Sequence, residues 1–181
     1  AEFLINKYIK NGKNTLVLKI FRWSTGSYLE CQDFWRLSGI ERDVFLYSQP
    51  KTAVKDFRVV STLDDSYTNG IFKLAVDIRN NAATDKNLQV LYELIDKASG
   101  KVVANATESC IVQGEDIQTV TFGANLPGIK TWTSESPNLY KMLISLKEED
   151  KVTEIVPFNV GFRRIEIKQI DQIAKNGKPY V

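Results

Sequence analysis

From Ile71 to Arg79, apolar side chains fall at every second position. Phe72, Leu74, Val76 and Ile78 line one face, and Lys73, Asp77 and Arg79 the other. A period of two marks a half-buried β-strand. The pattern returns at Leu88, Val90, Tyr92 and Leu94 against Gln89 and Glu93, and at Tyr140, Met142, Ile144 and Leu146 against Lys141, Ser145 and Lys147. Phe57 to Leu63, Lys101 to Thr107, Ile117 to Phe122 and Val152 to Val160 complete the set of predicted strands. Polar turn residues separate them: Asp64-Asp65-Ser66 with Asn69-Gly70, Ser99-Gly100, Gln113-Gly114 and Glu149-Asp150. Short strands at this spacing predict an all-β fold, an immunoglobulin-like antiparallel β-sandwich of about seven strands. It lacks the Cys-Trp-Cys core of antibody domains. Pro157 cannot donate to a ladder, so its strand is expected at a sheet edge or a bulge.

The flanks read differently. Leu16 to Arg22 and Val44 to Tyr47 resemble strands joined by a long loop from Trp23 to Arg42. So few strands are too few for a stable sheet of their own. At the other end, Asn176-Gly177-Lys178-Pro179 is a hairpin signal with almost no return strand. The expected organisation is therefore the C-terminal part of one β-domain over residues 1–49, a whole sandwich over 50–160 and a linker over 161–181. The piece is expected to be cut from a longer chain. The orphaned strands of 1–49 are expected to pair with a second copy, making a homo-oligomer, or to dock on the sandwich.

Composition then narrows the chemistry. The 181 residues include no histidine, which excludes a Ser-His-Asp triad, a Cys-His dyad, a His-ligated zinc and an imidazole base. Lys+Arg 24 against Asp+Glu 22 leaves a net charge of +2, too little field to draw the chain to nucleic acid or an anionic membrane. No run approaches the ~18 apolar residues of a membrane span, so a soluble protein, cytoplasmic or periplasmic, is expected. Cys31 and Cys110 are far apart, with neither a C-x-x-C nor a metal-ligand spacing, and two inert thiols are expected rather than a disulfide. Asn105-Ala106-Thr107 matches the glycosylation acceptor pattern, a three-residue match that chance supplies in a chain of this length.

The richest segment runs from Arg22 to Arg42. It sets Trp23, Tyr28, Phe34 and Trp35 among Glu30, Asp33, Arg22, Arg36 and Arg42. Aromatic faces cover the C–H side of a pyranose while carboxylates and guanidinium groups bond its hydroxyls, so this vocabulary suits sugar recognition. The same residues are also compatible with a buried aromatic cluster whose arginines pair the acids. Glu30 and Asp33, three apart on a loop, are not placed to face each other across a glycosidic bond as an acid and nucleophile would be. The acidic turns at Asp64-Asp65, Glu115-Asp116 and Glu148-Glu149-Asp150 lack the ligand count of a calcium loop.

The run Arg22-Trp23-Ser24, Gly26-Ser27-Tyr28-Leu29-Glu30, Gln32-Asp33, Trp35-Arg36, Ser38-Gly39-Ile40 and Arg42-Asp43-Val44 resembles the end of the sugar-binding jelly-roll domain of β-galactosidases of glycoside hydrolase family 2. Asp56-Phe57, Trp132 with Ser136-Pro137-Asn138-Leu139-Tyr140, Val160-Gly161-Phe162-Arg163 and Asn176-Gly177-Lys178-Pro179 follow in the family's order. The resemblance implies the last strands of a jelly roll, a bracing sandwich, and a lead into a (β/α)₈ barrel that carries two catalytic glutamates of a retaining mechanism. Those glutamates lie outside this sequence, so the chain alone is expected to be inactive. Trp35-Arg36 with Ser38-Gly39-Ile40 resembles β-galactosidases more than β-glucuronidases or β-mannosidases, which implies a β-galactoside substrate. The resemblance carries one site residue over, Asp33, as a contact to the galactose pocket and to a nearby monovalent cation. It implies sodium and magnesium for the whole enzyme and no cofactor for this piece. The competing expectation is a stand-alone carbohydrate-binding or adhesive β-sandwich module.

Overall fold

The structure, a computed structural model, describes residues 2–30 and 37–167. It divides into two compact units, Ala1–Tyr47 and Ser48–Val181, which are taken separately. The second unit holds seven strands: β1 (Thr52–Leu63), β2 (Gly70–Asn80), β3 (Lys86–Asp96), β4 (Val102–Val112), β5 (Ile117–Leu126), β6 (Tyr140–Glu148) and β7 (Lys151–Val160). They form two antiparallel sheets, ordered β1-β2-β5 and β4-β3-β6-β7. This is the sandwich that the alternation predicts, and each strand predicted between Phe57 and Val160 is present, several of them longer than the pattern alone gives.

The alternating residues become the two inner faces. Phe72, Leu74, Val76 and Ile78 of β2 meet Leu88, Val90, Tyr92 and Leu94 of β3 and Met142, Ile144 and Leu146 of β6, all buried in one cluster. Burying a side chain of this size contributes about 1.5–3 kcal/mol, so this interface supplies the main stabilisation of the unit. Tyr92 sits at its centre, with ring centroids 5.2 Å from Phe72 and 5.1 Å from Phe122. Burial raises its phenol pKa above the ordinary value.

One polar residue lies wholly inside. Asn80, at the end of β2, donates to the carbonyls of Thr84, Val112 and Gln113 and accepts from the Thr52 hydroxyl and the Ala82 amide. Its amide is satisfied on both sides, which is the condition for burying it without penalty. It thereby ties β1, the β2–β3 loop and the end of β4 together. Beside it the β4–β5 turn passes so close that a Cβ on Gly114 would stand 2.4 Å from the Ala83 carbonyl oxygen. Only glycine fits there without moving the backbone.

Pro157 falls on β7, at the edge of the four-stranded sheet, as its missing donor requires. The chain beyond β7 does not leave at once. Phe162 is fully buried, its ring 5.5 Å from Tyr140 and 6.5 Å from Phe72. The Trp132 amide donates to the Phe162 carbonyl at 2.8 Å, and the Ser61 hydroxyl to that of Gly161 at 2.8 Å. The sandwich core thus extends past Val160 into the segment expected as linker. Arg164 fastens the next residues: it bonds Asp65 at 2.7 Å, pairs with Glu166 and lies over the Tyr67 ring.

In the first unit the strands expected at Leu16–Arg22 and Val44–Tyr47 do not form. Its regular elements among the described residues are a 3₁₀ turn, Asn6–Tyr8, and one short helix, α1 (Thr25–Leu29). A strand persists only where a neighbour takes its amides and carbonyls, and no ladder reaches these residues. The strand edges expected to join copies through 1–49 are therefore absent from the described residues. Leu16, Val17, Phe45 and Leu46 are exposed. Cys110, partly buried, is a free thiol whose pKa burial raises. Cys31 lies outside the described residues, as does the hairpin signal at 176–179. No described helix is long and apolar enough to cross a membrane.

Two outcomes follow from this packing. Phe162→Ala should cost about 3–5 kcal/mol, the usual range for deleting a buried phenyl ring, read as a shift in the urea midpoint. Asp64 accepts from Ser66, Asn69 and the Thr68 amide, and the side-chain bonds first of all hold its pKa at about 2, below its ordinary 3.8. A carboxyl depressed on folding stabilises fully above its unfolded pKa and loses that contribution as pH falls through the folded one. In Asp64→Asn, thermal unfolding followed between pH 3.8 and about 2 should therefore show a shallower acid decline than the unmodified chain.

Candidate functional site

The segment from Arg22 to Arg42 reads as a loop in the sequence, and the structure adds α1 to it. The Ser24 amide donates to the Ser27 hydroxyl at 3.2 Å, and the Ser27 amide to the Ser24 carbonyl at 3.0 Å. This exchange between N-cap and third residue starts a turn that Thr25 and Gly26, poor helix formers, do not favour on their own. The Ser27 hydroxyl also reaches the Arg22 carbonyl at 3.3 Å, which folds the start of the loop over the helix. The Ser-x-x-Ser spacing is the signal for it that the sequence carries.

The helix brings two of the aromatics together. Trp23 and Tyr28 stand 6.3 Å apart at 33°, and the Arg22 guanidinium lies 5.3 Å from the Trp23 ring. Trp23 is 49% and Tyr28 72% exposed, so among the described residues neither lies in a buried aromatic cluster. Exposed rings beside a cation form an amphipathic surface of the kind that covers the apolar side of a sugar. Glu30 follows α1, its amide bonded to the Gly26 carbonyl at 2.9 Å. Gly39 turns the chain at φ +144°, a conformation reserved in practice for glycine. Asp33, with Cys31, Gln32, Phe34, Trp35 and Arg36, lies outside the described residues. No cluster of three or more acidic or cysteine side chains able to hold a metal occurs among the described residues.

Shallow depressions mark the surface of the sandwich. One, of about 290 Å³, is lined by Asp96, Lys130, Asn138 and Tyr140 among others. The Lys130 ammonium bonds Asp96 at 2.9 Å, which lowers the Asp96 pKa and raises its own. Asp96 also accepts the amides of Ala98 and Ser99, and the Tyr140 hydroxyl accepts that of Lys130. Paired and bonded in this way, the two charges hold a corner of the sandwich. Another depression, of about 310 Å³, is lined by Pro50, Thr84, Lys86, Glu148 and neighbours, with Lys86 paired to Glu148.

The stretch from Trp132 to Tyr140 proves to be a structural latch. Trp132 bridges Pro137, the Asn138 side chain donates to the Thr131 carbonyl at 2.9 Å, and Arg163 lies over the Trp132 ring at 5.1 Å. Gly161 passes under that tryptophan, where a Cβ would come within 3.1 Å of it.

Comparison with known proteins gives a consistent result. The model described as "Glycosyl hydrolases family 2" matches residues 52–163, and the one described as "Glycosyl hydrolases family 2, sugar binding domain" matches residues 1–50. A beta-galactosidase of Priestia megaterium is 38% identical over the whole of this chain and 18% of its own length. One of Halalkalibacterium halodurans is likewise 38% identical, over 100% of this chain and 17% of its own. Among solved structures, Bacteroides uniformis beta-glucuronidase 2 superposes with a TM-score of 0.71 at 18% identity, covering 83% of this chain and 19% of that one. At that identity the superposition supports the fold alone. The chain spans about a sixth of the length of the curated relatives it matches.

Proposed function

The chain belongs to glycosyl hydrolase family 2, and from that premise we propose that it is a non-catalytic part of a retaining β-galactosidase that hydrolyses terminal β-D-galactosides. The observation that carries the reading is the order of its parts. A sugar-binding-domain segment over 1–50 precedes a sandwich over 52–163, at substantial identity to beta-galactosidases along the whole chain. The bond-breaking groups are supplied by residues beyond this sequence.

In this reading the sandwich works as a brace. Its exit is held by the buried Phe162, by the bridge to Trp132 and by Arg164 on Asp65, so a catalytic domain joined there starts from a fixed point. Positioning of this kind matters because a misplacement of ~1 Å can cost ~100-fold in rate. The loop bearing Trp23, Tyr28 and Asp33 contributes to the galactose pocket, with Asp33 accepting from sugar hydroxyls and, secondarily, helping to hold a monovalent cation.

The test uses the full-length protein. It should hydrolyse an aryl β-galactoside in preference to the corresponding glucuronide and mannoside, Asp33→Asn should lower kcat/KM by roughly 100-fold, and the 181-residue chain should neither turn over nor bind galactose. Preference for the glucuronide or mannoside would overturn the substrate assignment. Galactose binding by the isolated chain in calorimetry, lost on Asp33→Ala, would instead establish a stand-alone carbohydrate-binding module.

A further inference from the structure

Phe162 fixes the exit of the sandwich at one point, but a single buried residue leaves the chain free to swing about the soft dihedrals of the residues that follow. A second hold close behind it removes that freedom, and Arg164 provides one. Its side chain is only 25% exposed. It donates to the Asp65 carboxylate at 2.7 Å and to the Leu63 carbonyl at 3.4 Å, pairs with Glu166, and sets its guanidinium 5.3 Å from the centre of the Tyr67 ring.

These holds differ in worth. The Asp65 side chain is 98% exposed, and an ion pair open to water contributes little. The bond to Leu63 is long. Glu166 lies on the same exit segment as Arg164, so that pair ties the segment to itself and not to the sandwich. The Tyr67 ring remains, an aromatic face against a planar guanidinium, a stacking that water does not replace.

The β1–β2 loop holds an uncommon backbone conformation to present that ring. Tyr67 stands at φ +59°, an outlier for a bulky side chain that glycine would adopt without strain. Glu115 and Glu149 are the other non-glycine residues at positive φ among the described residues, and both are exposed in turns. Around Tyr67 the loop is tied from several sides. The Tyr67 amide donates to the Asp64 carbonyl at 3.1 Å, and Asp64 accepts the Ser66 hydroxyl at 2.6 Å and the Asn69 side-chain amide at 2.7 Å. Asn69 in turn accepts the Gly128 amide at 3.2 Å. Strain held by its surroundings in this way is found where a geometry serves function.

We propose that Tyr67 is a positioning residue that acts through Arg164: its ring holds the guanidinium and so sets the direction in which the chain enters the domain that follows. This rests on the proposed function only in requiring a catalytic domain after the exit segment, whatever glycoside that domain cleaves. Phe162 then sets the depth of the exit and Tyr67 its orientation.

Glycine and phenylalanine at this position separate the backbone from the ring. In the full-length protein, Tyr67→Gly should lower kcat roughly tenfold with KM little changed, because reacting groups are displaced rather than sugar contacts. Tyr67→Phe keeps the ring and should retain full kcat. In an Arg164→Lys background, which lacks the planar fork, Tyr67→Gly should cost nothing further. All variants are compared on the glycoside that the unmodified protein cleaves fastest, so a wrong sugar assignment changes the substrate used and not the comparison. In the 181-residue chain, Tyr67→Gly should speed trypsin cleavage after Arg164, a readout that needs no activity, and leave the urea midpoint of the sandwich unchanged, since glycine relieves the backbone as the ring is lost. Unchanged kcat in Tyr67→Gly, an equal loss in Tyr67→Phe, cleavage after Arg164 at the unmodified rate, or a loss of kcat that tracks a lowered urea midpoint would each overturn the proposal.

Discussion

The structure of the second unit depends on one requirement: two sheets must bury their alternating faces against each other, because neither can be stable with its apolar side in water. Phe72, Tyr92, Phe122 and Phe162 meet its terms. Phe162 matters most for function, since it belongs to the core yet stands beyond the last strand. The segment after β7 is committed to the sandwich by the same burial that stabilises the sheets. A brace that also fixes the direction in which the chain leaves comes from that single placement, with Arg164, Trp132 and Gly161 added around it.

The polar features serve this interface. Asn80 closes the corner where β1, β2 and β4 converge, and Gly114 lets the β4–β5 turn lie against Ala83. Asp64 and Asp96 gather turn amides, and Lys130 neutralises Asp96. The carboxylates of Asp64 and Asp96 are thus occupied by their own turns, which is the ordinary use of Asp at turns.

Much of the sandwich is legible in the sequence because its inner faces alternate cleanly, as in β2, β3 and β6. The early start of β1 is not, since the bulge after Val54 breaks the period of two and Ala53 and Val54 are buried in succession. Phe162 stands in a family motif, but its place in the core depends on contacts with Tyr140 and Phe72 that no local pattern announces. The first unit is least legible. The apolar, β-prone residues of Leu16–Arg22 promise a strand, yet composition says nothing about which neighbour would pair with it. The helix α1 escapes a reading by propensity because its cap, Ser24 with Ser27, outweighs the weak preference of Thr25 and Gly26. Asp33, identified by its Gln-Asp-x-Trp setting, lies outside the described residues.

The central claim is that the exit segment belongs to the same cooperative unit as the strands. Native-state hydrogen exchange on the full chain tests it at the Trp132 amide, which donates to the Phe162 carbonyl across the latch. The account predicts that this amide exchanges only on global unfolding, with protection matching that of Val90 in the core. Exchange at Trp132 as fast as that of the exposed Gly12 amide, with Val90 still protected, would contradict it.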